Sequence, residues 1–88
     1  MGNKKLTPAQ EAGFEVGDYG IAINRNSMLY SYNDLLKLEY DDNTCNPRWW
    51  LLSEKDTRYT HIDNVRKLTK EEIIKYVVLG LDPASEEE

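Results

Sequence analysis

The sequence predicts a mainly β fold: a small five-stranded barrel with a short N-terminal helical turn before it and a C-terminal α-helix after it. Three observations lead there. Short runs of alternating or apolar residues recur between residues 19 and 68, separated by polar turn signals. The most apolar of these, Arg48-Trp49-Trp50-Leu51-Leu52, is bracketed by Asp41-Asp42-Asn43-Thr44-Cys45-Asn46-Pro47 and by Ser53-Glu54-Lys55-Asp56. After residue 68 the pattern switches to a capped helical one.

The helical turn is read from Thr7-Pro8-Ala9-Gln10, where Thr7 can cap, Pro8 suits the first helical position and Gln10 completes a capping box; Gly13 then stops it. Residues 1–6 before it read as a disordered start. Gly17-Asp18 makes a turn into the first strand. There Tyr19, Ile21 and Ile23 alternate with Gly20, Ala22 and Asn24, so the larger set is expected on the buried face and the small set should allow close packing. Asn24, Asn26 and Ser27 end that strand. Met28-Leu29-Tyr30-Ser31-Tyr32-Asn33-Asp34 follows as an aromatic-rich loop. The second strand is Leu35 to Tyr40, with Leu36, Leu38 and Tyr40 expected on one face.

The tryptophan strand comes third. Alternation forbids Trp49 and Trp50 from sharing a face, so at most one fills the core; Trp49 with Leu51 is assigned one face, Trp50 with Leu52 the outer face or the underside of the helix. A fourth strand is expected at Arg58 to Ile62 and a fifth at Val65 to Leu68, with Asp63-Asn64 between them. Thr69-Lys70-Glu71-Glu72 is a capping box with a staple between Leu68 and Ile73, opening a helix from about Lys70 to Leu79 that Gly80 and Pro83 terminate. Its apolar positions are more numerous than a single stripe requires. Ile74, Val78 and Leu81 are assigned to the barrel and Ile73 and Val77 to the edge of that contact. The chain thus divides into an N-terminal extension 1–13, a barrel 14–68, a helix 69–81 and an acidic disordered tail 82–88.

Phe14-Glu15-Val16-Gly17-Asp18-Tyr19-Gly20-Ile21-Ala22-Ile23 resembles the opening of SH3-like barrels. Trp49-Trp50 resembles their paired tryptophans. Tyr59-Thr60-His61-Ile62-Asp63-Asn64-Val65-Arg66-Lys67-Leu68 resembles their ending, where a strand passes through a short helical turn into the last strand. The layout is similar to bacterial and bacteriophage small barrels of the KOW or Tudor type. Gly17-Asp18 lies farther from Trp49 than in eukaryotic SH3 domains, and Met28-Leu29-Tyr30-Ser31-Tyr32 falls after the Gly-Asp where their ligand-binding stretch precedes it, so no proline-rich ligand site carries over. The resemblance implies a binding role as a short accessory factor.

Composition narrows the function. The 88 residues form one domain with a net charge of −5, concentrated C-terminally: residues 1–13 sum to +1, residues 14–68 to −2 and residues 69–88 to −4. A global negative field opposes nucleic acid, whose affinity comes from Lys and Arg on phosphates. Cys45 is the single cysteine, which fits a reducing cytoplasmic setting, and no apolar run approaches the roughly 18–20 residues of a membrane span. One His and one Cys give no metal-ligand spacing, and Cys45 and His61 are a poor nucleophile and base pair. No catalytic residue, cofactor or metal site is therefore expected, and the chain reads as a non-enzyme.

The expected function is a small non-catalytic protein-binding module, an accessory protein of phage type that binds a host protein, inhibition being one way it could act. Its contact residues are expected among Tyr30 and Tyr32, the outward one of Trp49 and Trp50, Tyr59, and Ile73 and Val77 of the helix. The helix could also mediate self-association. For inhibition of a host protein the acidic side chains Glu71, Glu72, Asp82 and Glu86 to Glu88 are the candidates. The alternative is a nucleic-acid-binding barrel whose platform combines Arg48, Arg58, Arg66 and Lys67 with a tryptophan and Tyr59.

Overall fold

The computed structural model describes residues 5–25 and 30–83. Residues 1–4 of the expected disordered start at 1–6, Asn26 and Ser27, Met28 and Leu29 of the aromatic loop, and residues 84–88 of the expected tail at 82–88 lie outside the described residues. Five antiparallel strands form one sheet: β1 (Tyr19–Ala22), β2 (Leu35–Tyr40), β3 (Arg48–Leu51), β4 (Asp56–Tyr59) and β5 (Val65–Lys67), in the order β4-β3-β2-β1-β5. A helical turn, α1 (Pro8–Glu11), precedes them, and α2 (Lys70–Glu72) follows and continues as a π-helical segment, Ile73–Val78. This is the mainly β, five-stranded architecture with flanking helices that the sequence predicts.

β4 and β5 are the two edges, yet only residues 60–64 join them, and Ile62–Asn64 is coiled into a 3-10 turn. Edge strands of a flat five-stranded sheet lie about 19 Å apart. A connection with three residues rising only about 2 Å each falls short of that, so the sheet curls toward a barrel. The strand-to-helical-turn-to-strand ending expected at 59–68 is therefore what brings the edges together.

The core holds Ala9, Phe14, Ala22, Tyr30, Leu36, Leu38, Trp49, Leu51, Ile62 and Val65. Trp49 is fully buried; its Nε1–H donates to Thr60 O at 3.1 Å, and Phe14 meets the indole edge-on at 5.2 Å and 89°. Burying an indole is favourable only when its polar N–H finds a partner, and the Thr60 carbonyl supplies it. Leu36, Leu38 and Leu51 are also fully enclosed, each contributing about 1.5–3 kcal/mol. α1 is capped as its sequence dictates, with Thr7 and Gln10 bonding reciprocally. Thr7 Oγ1 also donates to Asp41 Oδ2 at 2.5 Å, which ties the helical turn to the end of β2.

Four expectations are corrected. In β1 it is Gly20 and Ala22 that face the core, while Ile21 is buried on the opposite face and Ile23 is 46% exposed. The reason is steric: a Cβ on Gly20 would collide with Val65 and come close to Phe14, so this face has room only for small residues. In β2 Tyr40 does not share the face of Leu36 and Leu38, because a β-bulge between Leu38 and Tyr40 inserts one residue and shifts the alternation. β4 begins at Asp56, two residues before the expected Arg58, and ends at Tyr59. The C-terminal helix turns the other way round: Ile73 and Val77 are half-buried, whereas Ile74, Val78 and Leu81 are exposed. Only its first turn is α-helical; from Ile73 it is π-helical.

Trp49→Ala is expected to lower unfolding stability by about 3–5 kcal/mol in denaturant titrations, and Gly20→Ala by about 1–3 kcal/mol through overpacking against Val65. Trp50→Ala should cost far less; equal losses for the two tryptophans would contradict the inward and outward division of β3.

Candidate functional site

The outer face of the sheet is set by register. Tyr19 pairs with Lys37, Lys37 with Trp50 and Trp50 with Thr57, so these four side chains form one row across β1, β2, β3 and β4. Cross-strand neighbours in such a row stand about 4.5–5.5 Å apart at Cβ. Lys37 Nζ accordingly lies 5.7 Å from the centre of the Tyr19 ring. The next row holds Tyr40, Arg48 and Tyr59, with Tyr40 and Tyr59 both more than half exposed.

The bulge shapes this second row. It presents both Glu39 and Tyr40 to the single residue Arg48. Arg48 Cζ lies 5.0 Å over the Tyr40 ring, and its Nε is 3.8 Å from Glu39 Oε1. Glu39 Oε1 also accepts a 3.0 Å hydrogen bond from Thr57 Oγ1. Tyr40, Glu39, Arg48 and Thr57 thus form one connected cluster across three strands.

A groove of about 490 Å³ opens beside Trp50, lined by Val16, Gly17, Lys37, Leu38, Glu39 and Trp50. Its far wall is the turn Glu15 to Asp18, closed by Asp18 N–H to Glu15 O at 2.9 Å and Asp18 Oδ2 accepting from Glu15 N–H at 2.8 Å. Gly17 has φ +99°, the left-handed geometry that a type II turn demands at its third position. Gly17 N–H to Leu38 O and Leu38 N–H to Asp18 O then fix the turn against β2. Val16 is left 60% exposed at the rim, facing the half-buried indole of Trp50.

The remaining basic side chains of the proposed cationic platform are paired. Arg58 reaches Glu54 and Asp56 at 2.9 Å each, and its hydrogen bond pulls the Asp56 carboxyl below its ordinary value. Lys67 lies 3.3 Å from Asp18 and donates to Gly13 O at 2.8 Å. Arg66 forms two parallel 3.0 Å bonds to Glu72. Glu72 Oε1 also accepts from Thr69 N–H at 2.9 Å, completing the capping box at the start of α2. Hydrogen bonding from Arg66 first, and from the Thr69 backbone second, lowers the Glu72 carboxyl to about 2. The same contact raises Arg66.

The candidates named from sequence separate into three groups. Tyr30 and Trp49 are core residues: Tyr30 is 7% exposed and hydrogen-bonds Thr60 through its hydroxyl, so neither offers a contact surface. Trp50 and Tyr59 belong to the outer sheet face. Tyr32, Ile73 and Val77 are half-buried near the C-terminal helix, Tyr32 with Arg25 stacked 3.7 Å over its ring. A second cleft of about 340 Å³ there is lined by Ile21, Tyr32, Arg66 and Tyr76 among others. Val16, Lys37, Glu39 and Tyr40 were not anticipated. Alternation alone marks Lys37 as outward-facing, but not as a neighbour of Trp50; the bulge that turns Tyr40 outward leaves no sequence signal.

His61 Nδ1 accepts from Asp63 N–H at 3.0 Å and caps the 3-10 turn. Among the described residues no group of three or more His, Cys, Asp or Glu side chains could hold a metal ion, and no helix is long and apolar enough to cross a membrane. No protein-family model, curated protein or solved structure matches this chain.

The Arg66–Glu72 joint has a pH signature. Its carboxyl sits below the ordinary glutamate value of 4.5, at about 2, so its contribution is complete above pH 4.5 and is lost as pH falls through about 2. Amide exchange in residues 70–78 should therefore accelerate over that window relative to β2 and β3. Glu72→Gln, which keeps an acceptor for Thr69 but removes the charge, should show the faster exchange already at pH 6. Exchange in the helix that follows the sheet at every pH would count against the joint.

Proposed function

We propose that this chain is a non-catalytic protein-binding module whose contact surface is the outer face of the sheet around Trp50. The observation that carries it is a tryptophan which the register excludes from the core and which stands, half-buried, at the side of an open groove. Tryptophan and tyrosine in a partly enclosed setting anchor protein interfaces, because they supply large contact area at low entropic cost. Tyr19, Tyr40 and Tyr59 lie on the same face as Trp50.

Charge favours a protein partner over nucleic acid. Arg48, Arg58, Arg66 and Lys67, the side chains a phosphate-tracking face would use, each have a carboxylate within 4 Å. Phosphate binding would have to displace those carboxylates in a chain already at −5. The reading agrees with the short accessory factors, bacteriophage ones among them, that the sequence resembles. A cytoplasmic location belongs to the same proposal.

A displayed random-peptide library panned on the whole chain tests it. Recovered sequences should bind the native protein and lose at least tenfold on Trp50→Ala, a variant that circular dichroism should show to be folded. Enrichment of nothing, or of sequences indifferent to Trp50, would sink the reading. Oligonucleotide binding that falls steeply with salt would favour the nucleic-acid alternative instead.

A further inference from the structure

We propose that the Trp50 groove takes an extended segment of a partner protein in which a large apolar side chain neighbours a carboxylate. The apolar group lodges between Trp50 and Val16, and the carboxylate meets Lys37. This rests on the outer sheet face being the contact surface and adds the chemistry of what it contacts.

Lys37 decides the polarity. Arg48, Arg58, Arg66 and Lys67 are each matched by a carboxylate, but among the described residues none lies within 4 Å of Lys37, whose one neighbour of note is the Tyr19 ring. Glu39, the carboxylate in the groove, is held by Thr57 Oγ1 and Arg48. The ammonium of Lys37 is thus the cationic group at the groove that has no carboxylate partner among the described residues.

The walls decide the rest. Val16 and Trp50 supply apolar side chains to the lining of a space of about 490 Å³, within the range of roughly 300–1,000 Å³ of pockets that hold small ligands. β2, the floor, is hydrogen-bonded on both sides, to β1 and to β3. Its backbone cannot accept an added strand, so the segment must be read through side chains. The net charge of −5 repels an anion at long range, which confines the preference to contact distance. An exposed pair of this kind discriminates by about two- to fivefold.

Four blocked hexapeptides, identical except for a central Leu-Asp, Leu-Asn, Leu-Lys or Ala-Asp pair, would be titrated into the nitrogen-labelled protein while the indole N–H signals are followed. Leu-Asp should shift the Trp50 signal saturably and leave that of buried Trp49 nearly still. Leu-Asn should bind about two- to fivefold more weakly, Ala-Asp more weakly still, and the Lys37→Glu variant should prefer Leu-Lys. Equal binding of Leu-Asp and Leu-Asn, tighter binding of Leu-Lys to the native chain, or indifference to Leu against Ala would overturn the inference. If none of the four moves Trp50 but a library-selected sequence does, the groove binds other chemistry and the proposal fails alone. If neither does, the reading of the outer face fails with it.

Discussion

The hydrogen bond from the Trp49 indole to the carbonyl of Thr60 is the contact on which the other packing turns. It spans β3 and the segment leaving β4, so it fixes where the chain bends toward the 3-10 turn. The same indole receives Phe14 edge-on, which draws the N-terminal segment over the open end of the sheet. Tyr30 closes the other side by hydrogen-bonding the Thr60 side chain. A small domain buries a modest fraction of its surface, and here one large aromatic with a satisfied polar edge organises three separate parts of the chain.

The outer face is the complement of that arrangement. Once Trp49 is committed inward, Trp50 is committed outward, and the register carries Tyr19, Lys37 and Thr57 with it. The β-bulge at Glu39 adds Tyr40 to a face that strict alternation would have denied it. Surface ion pairs of this kind are worth little in stability. Here Arg48 is paired with Glu39, while Lys37 at the same groove has no carboxylate within 4 Å among the described residues.

What could be read from the sequence follows from where one physical rule acts alone. The capping boxes at Thr7 and Thr69 involve residues three apart and formed as their patterns dictate. The division of Trp49 from Trp50 follows from strand geometry and holds. In β1 hydrophobicity marks Ile21 and Ile23 for the core, while the space available beside Val65 and Phe14 selects Gly20 and Ala22. The helix faces are obscured for a related reason: nearly every position from Ile73 to Leu81 is apolar or large, so periodicity does not distinguish the docked side from the exposed one. Lys37 and Val16 could be placed beside Trp50 only through pairing between distant strands.

Glu72 stands in two structures at once. One carboxylate oxygen serves both the Thr69 backbone that begins the helix and the Arg66 side chain of the last strand. The cap itself is local, since Thr69 Oγ1 also accepts from Glu72 N–H, but its carboxylate half is shared with the last strand. Winding the first turn therefore sets the carboxylate where Arg66 can reach it, so the same side chain that begins the helix also ties it to the sheet.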